Sequence, residues 1–322
     1  MSLAKLPNLI VGMHRSGTSL TIALLQSAGL HIGDRLMQPS PANPKGHFEN
    51  LDFYQFHERV LQSQAIDSAG WTLQKDIKVE SSFIEVAHKL IADNAQSSAW
   101  GWKDPRTTLF LDFWADLLPN ANFLLVYRAP WEVIDSLYRR GTDQIILRQP
   151  DLAPKIWQHY NQKILDFLDR FPNRCLLINI NTIVQHTQAW IDAINQKFQL
   201  QLASPDSSLY ESALLHQQNS ESKYPSLLQI YFPEVLRMYE QLESKAWRPE
   251  HHFASTPDVT LVSAQECTFQ NWLNLRIAEK EQQAFKKQIN QFQAELQQVR
   301  SQLPQTSFMQ DHHNLSQKNK ET

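Results

Sequence analysis

Glycine is scarce in this chain, with 8 residues in 322, and three of them, Gly12, Gly17 and Gly29, fall close together near the N-terminus. Cysteine is scarcer. Cys175 and Cys267 are the only two, which excludes a disulfide framework or a cysteine-built zinc site and points to a reducing compartment, the cytoplasm. No apolar run approaches the ~20 residues a membrane-spanning helix needs. The stretch from Leu9 to Met13 is too short for a signal peptide and runs straight into Arg15. An excess of basic charge is missing too: 30 Lys and Arg against 33 Asp and Glu give a net charge of -3, which disfavours a general nucleic-acid binder. The 42% of apolar residues that remain are ample for the core of a soluble globular protein.

The clustered glycines punctuate one stretch. Leu9, Ile10 and Val11 read as a short buried strand, Gly12 to Gly17 as a tight loop, and the following residues as a helix carrying Leu20, Ala23, Leu24 and Ala28 inward, capped by Thr18 or Ser19 and stopped by Gly29. Backbone N–H groups and the positive end of a helix then converge where an anion can sit. Arg15, Ser16, Thr18 and Ser19 add donors. Gly, four residues and Gly is half of a Walker A motif, but Thr18 stands where the lysine would follow, and the positive charge lies inside the loop at Arg15.

Further along, prolines 39, 41 and 44 mark a loop that continues through Gly46-His-Phe-Glu-Asn50. Helices are predicted over 51–64, with Leu51, Tyr54, Val60 and Leu61 inward, and over 81–95, with Phe83, Ala87, Leu90 and Ile91 on one side. Trp100 to Trp102 end a strand that Pro105 breaks, and Leu109, Phe113, Leu117 and Leu118 form a helical stripe. Phe123–Tyr127 and Cys175–Ile180 are core strands. A helix starting near Pro130 follows the first of them, and a long amphipathic helix over 151–171, with Trp157 and Tyr160 in the core, precedes the second. Helices dominate 187–246. Such alternation predicts an α/β fold, a parallel sheet flanked by helices in three layers.

Beyond about residue 262 the composition turns to Gln, Lys and Glu, and a heptad appears. Leu275, Gln282, Ile289, Leu296 and Leu303 occupy a; Ala278, Phe285, Phe292 and Val299 occupy d. In a parallel dimer Glu281 faces Lys286 and Glu295 faces Arg300. Either a coiled coil through 275–303, pairing with a second copy or another partner, or an amphipathic helix packed on its own domain fits this pattern. Four segments result: a catalytic domain over 1–250, a linker over 251–267, the coiled coil over 268–303 and a polar, disordered tail over 304–322.

Three segments together carry a resemblance. Gly12-Met-His-Arg-Ser-Gly-Thr-Ser19, Lys103-Asp-Pro-Arg106 and Tyr127-Arg-Ala-Pro-Trp-Glu-Val-Ile-Asp-Ser136 resemble the sulfotransferases that use 3′-phosphoadenosine 5′-phosphosulfate (PAPS), over about residues 8–245. The resemblance implies a P-loop NTPase-like sheet, PAPS as donor with its desulfated nucleotide as product, and no metal. By the same resemblance Arg15, Ser16, Gly17, Thr18 and Ser19 hold the 5′-phosphosulfate, and Arg128 with Ser136 holds the 3′-phosphate. The family's usual loop lysine is here Arg15, which keeps the charge but does not readily donate a proton, so Lys103 is the second candidate at the leaving group. Glu49 or His47, in the loop before the second helix, is the candidate base. Arg106 is available to hold Glu49, the acceptor or the nucleotide. The acceptor is a hydroxyl or amine on a glycan, lipid, protein or small molecule. A P-loop kinase and a non-catalytic scaffold bearing the coiled coil are the competing readings. The missing lysine after Gly17, with no obvious acid after a strand to bind Mg²⁺, counts against the first, and the retained Arg15, Lys103, Arg128 and Ser136 count against the second.

Overall fold

The computed structural model describes residues 6–38, 48–206, 209, 224–249 and 264–302. Four strands, β1 (Leu6–Val11), β2 (Ala99–Lys103), β3 (Asn122–Tyr127) and β4 (Cys175–Asn179), form a wholly parallel sheet in the order β2-β1-β3-β4. The apolar runs Leu9 to Val11, Phe123 to Tyr127 and Cys175 to Ile178 are unbroken because both faces are covered. Leu9, Val11, Phe123, Leu125 and Leu177 enter one apolar layer, and the alternating Ile10, Leu124, Val126, Leu176 and Ile178 enter the other. Period-two alternation thus fills two cores from one sheet.

Helix α1 (Thr18–Ser27) covers the second layer through Ile22, Leu24 and Leu25, joined by α8 (Ile180–Gln185) and α9 (Thr187–Phe198). The first layer is covered by α2 (Leu51–Ser63), α3 (Ser81–Asn94), α4 (Leu111–Leu117), α5 (Pro130–Arg140) and α7 (Leu152–Arg170), with the short α6 (Gln144–Arg148) between the last two. Two more helices, α10 (Tyr224–Tyr231) and α11 (Pro233–Lys245), add Leu228, Val235, Met238 and Leu242 to that core. This is the expected three-layer α/β architecture. Because α1 leaves β1 over one face and α5 leaves β3 over the other, the chain parts at the C-terminal ends of these neighbouring strands. In open α/β sheets a crevice at such a switch point is the binding site.

Several local expectations shift. The inward face of α2 is Phe53, Phe56, His57, Val60 and Leu61, while Leu51 and Tyr54 are only half-buried. Phe53 stacks on Trp102 with ring centres 3.9 Å apart, so aromatic contact outweighs the aliphatic stripe. Strand β4 ends at Asn179, whose side chain caps α8 by accepting from Asn181 N. In α1, Leu20 is half-buried, and Thr21, Ile22 and Leu25 join Ala23 and Leu24 in the interior. His47 and the prolines at 39, 41 and 44 lie outside the described residues. So do the 304–322 tail and most of the 251–267 stretch.

Residues 262–322 form a separate unit whose described part is one helix, α12 (Ala264–Gln302), which starts inside the stretch read as linker. Among the described residues no helix is long and apolar enough to cross a membrane.

Candidate functional site

The loop after β1 is built by exclusion of side chains. A Cβ on Gly12 would stand 2.4 Å from the carbonyl oxygen of Val126, so only glycine lets the ends of β1 and β3 approach this closely. Gly17 has φ +89°, and a Cβ there would meet Ile180 Cγ1 at 2.4 Å. Arg15 is also left-handed at φ 67°. Thr18 and Ser19 do not cap α1 as expected. Gly17 is the N-cap, Thr18 begins the helix, and no side chain caps its positive end. Beside it the Ser16 hydroxyl is buried without a hydrogen-bond partner. An uncapped helix start with an orphaned buried hydroxyl fits an anion.

Four arginines crowd the same edge. Burial, and then the charges of Arg140, Arg128 and Arg139, lower the pKa of Arg15. Arg128 pairs with Glu132 at 3.2 Å, Arg139 with Asp135 at 2.7 Å and Arg140 with Asp143 through Nε at 3.0 Å. Arg15 has no carboxylate partner among the described residues; its Nε donates to Ser136 Oγ at 2.9 Å. Ser136, expected beside Arg128, is thus held by the loop arginine, which ties the loop after β1 to α5. Trp157 Nε1 donates to the Arg128 carbonyl at 3.1 Å, so this core residue also pins the end of β3.

Lys103, the last residue of β2, is buried to 1% exposure. Its Nζ donates to Ser19 Oγ at 3.1 Å and makes a short ion pair with Glu49 Oε1. Burial lowers its pKa, and Glu49 partly offsets that. Glu49 is fixed in turn by its backbone: Met37 N donates to its carbonyl at 2.8 Å, and the neighbouring Asn50 caps α2. Candidate base, candidate cation and phosphate loop therefore touch.

Behind Lys103 lies a network that the sequence did not reveal. Trp114 Nε1 donates to His57 Nε2 at 2.9 Å, and an indole N–H can only donate. His57 is therefore neutral, with its proton on Nδ1, which donates to Asp104 Oδ2 at 2.8 Å. Burial lowers the His57 pKa in agreement. Burial alone would raise the Asp104 carboxyl, but Arg106 and His57 hold it well below the usual carboxylate range. Arg106 does not reach Glu49: Nη1 binds Asp104 Oδ1 at 2.9 Å, Nε binds the Ser68 carbonyl at 2.6 Å, and the guanidinium lies 4.2 Å over the Tyr54 ring. His14 closes the other side, its Nε2–H donating to the Ala69 carbonyl at 2.8 Å and its ring packing on Trp71. Burial, together with the Arg106 charge, pushes it down to about 3.

Residues 7–204 match the model of the sulfotransferase family. No curated protein matches the chain. Among solved structures it is similar to the sulfotransferase domain from the curacin biosynthetic pathway, at 17% identity and TM-score 0.48 over 76% of this chain and 100% of that one. It is also similar to a sulfotransferase from Mycobacterium tuberculosis H37Rv, at 15% and 0.43 over 66% and 71%. A third is a sulfotransferase from Alicyclobacillus acidocaldarius, at 14% and 0.43 over 76% and 97%.

Proposed function

The chain belongs to the sulfotransferase family, and from that premise we propose that it moves a sulfuryl group from PAPS to a hydroxyl or amine acceptor. The observation that carries this reading is the contact of buried Lys103 with both Ser19 and Glu49. It brings a cation and a carboxylate together beside an anion loop and needs no metal ligand. PAPS supplies the activated sulfuryl group and a leaving phosphate. In this reading Arg15, Ser16, Gly17, Thr18 and Ser19 bind the phosphosulfate, and the unpaired Ser16 hydroxyl supports that fit. Arg128, just after β3, and Ser136, on α5, bind the 3′-phosphate.

Glu49 takes the proton of the attacking acceptor as the new O–S or N–S bond forms. The S–O bond to the phosphate breaks, and Lys103 and Arg15 neutralise the charge left on that phosphate oxygen. Lys103 is the better placed of the two, being buried and already in contact with loop and base. The acceptor is a glycan, lipid, protein or small molecule.

The test is a titration. Adenosine 3′,5′-bisphosphate should bind without Mg²⁺ and more tightly than ATP with Mg²⁺, and labelled donor should release its sulfuryl group to an acceptor panel. Preference for ATP with Mg²⁺ would overturn the reading. Arg128→Ala should weaken the bisphosphate about 10- to 100-fold, the worth of a charge-assisted hydrogen bond.

A further inference from the structure

Helix α12 leaves an apolar stripe uncovered. Leu275, Phe285, Ile289, Phe292, Leu296 and Val299 are 53% to 66% exposed. Together with Ala278, also exposed, they recur at intervals of three, four or seven residues, as the a and d positions of a heptad do. One polar residue, Gln282, interrupts it at a. A stripe of this size on a water-exposed helix calls for a covering partner.

The charges beside the stripe say which partner. We propose that α12 is the self-association element of this protein, two copies winding into a parallel, in-register, two-stranded coiled coil. In that arrangement each g position faces the e position five residues later in the second copy, so Glu281 meets Lys286 and Glu295 meets Arg300. Symmetry gives four attractive pairs and no repulsive one. The fully overlapped antiparallel alternative stacks Leu275 on Val299 and Phe285 on Ile289. It sets Lys286 beside Lys286 and Glu281 beside Glu295, and buries the Gln282 amide against Phe292. Like charges flank that seam and its polar group finds no partner. Only in the parallel register does Gln282 meet Gln282, amide to amide, which fixes alignment as a buried polar a residue does. Apolar layers supply affinity; flanking charges and Gln282 select orientation.

Full-length protein tests this directly. Its mass in light scattering and sedimentation equilibrium should be twice that of the monomer at micromolar concentration. Phe285→Asp with Phe292→Asp should return it to monomer with bisphosphate binding unchanged. Glu281→Lys with Glu295→Lys should weaken association about ten-fold or more, and adding Lys286→Glu with Arg300→Glu should restore it. With Cys267→Ser as background, Ala278→Cys should cross-link to a disulfide dimer under mild oxidation. A monomeric wild type, a trimer or larger, a dimer that survives the paired Phe substitutions, or a dimer that does not cross-link at position 278 would each overturn the proposal.

Discussion

His57 uses both ring nitrogens inside the protein, accepting from Trp114 and donating to Asp104, and this double use gives it structural weight. Asp104 follows Lys103 directly, so the network sets the turn that delivers the lysine to Ser19 and Glu49. Replacing His57 by Phe orphans a buried indole N–H and removes one donor from a buried carboxylate. At about 1–3 kcal/mol for each group, His57→Phe should cost roughly 2–6 kcal/mol in urea denaturation. Glu49→Gln has a different signature. It keeps shape and much of the hydrogen bonding, so bisphosphate binding should stay near normal while turnover falls on the order of 10²- to 10⁴-fold; unchanged turnover would transfer the base role to His47. Glu49 and Lys103 could be picked out as candidates from the sequence because each sits in a short motif. His57 was not, since its partners lie 47 and 57 residues away and nothing local distinguishes it from a surface helix residue.

Elements were legible where the pattern is local. Strands β1, β3 and β4 show as apolar runs and β2 as the tryptophan pair that Pro105 ends, while α1, α2, α3 and α7 show as helical periodicity. What periodicity could not give is the face of α2, decided by the Phe53 contact with Trp102, or the way α1 is capped. The end of the catalytic unit was equally hidden. Past α11, Trp247 N donates to Leu177 O at 2.7 Å, and Glu243 accepts from Tyr127 at 2.8 Å and Asn179 at 2.6 Å. A segment distant in sequence thereby closes over the ends of β3 and β4. The loop between β1 and α1 was legible as a tight, glycine-built turn, and its two glycines give it an element-level test. Gly12→Ala puts a methyl group against the Val126 carbonyl, backbone that cannot swing away, whereas at Gly17 the obstacle is the Ile180 side chain but φ is positive. Both variants should lose about 1–3 kcal/mol in thermal or urea unfolding. Gly12→Ala should lose more bisphosphate affinity than Ser16→Ala. Equal losses would mean that the tight approach of β1 to β3 is not what shapes the loop.

For the catalytic unit as a whole, the buried histidines act in one direction with pH. His14 is held down to about 3 against an ordinary value of 6.5, and His57 is lowered as well. Below pH 6.5 the unfolded chain binds protons on these rings that the folded one refuses, so stability must fall as pH drops from 6.5 toward 3. Asp104 extends the loss. Its carboxyl stays ionised in the fold while the unfolded chain takes up a proton below 3.8, which again favours the unfolded state at low pH. At pH 5 His14 alone accounts for up to about 2 kcal/mol, from 1.36 kcal/mol for each pH step below 6.5. Denaturant midpoints should therefore be flat between pH 7.5 and 7 and decline steadily from 6.5 to 4. In His57→Phe the residual slope should be smaller, because one of the rings that refuse a proton is gone. A midpoint that stays level down to pH 5 would mean that these histidines take up protons in the fold, which the Trp114 N–H pointing at His57 Nε2 forbids.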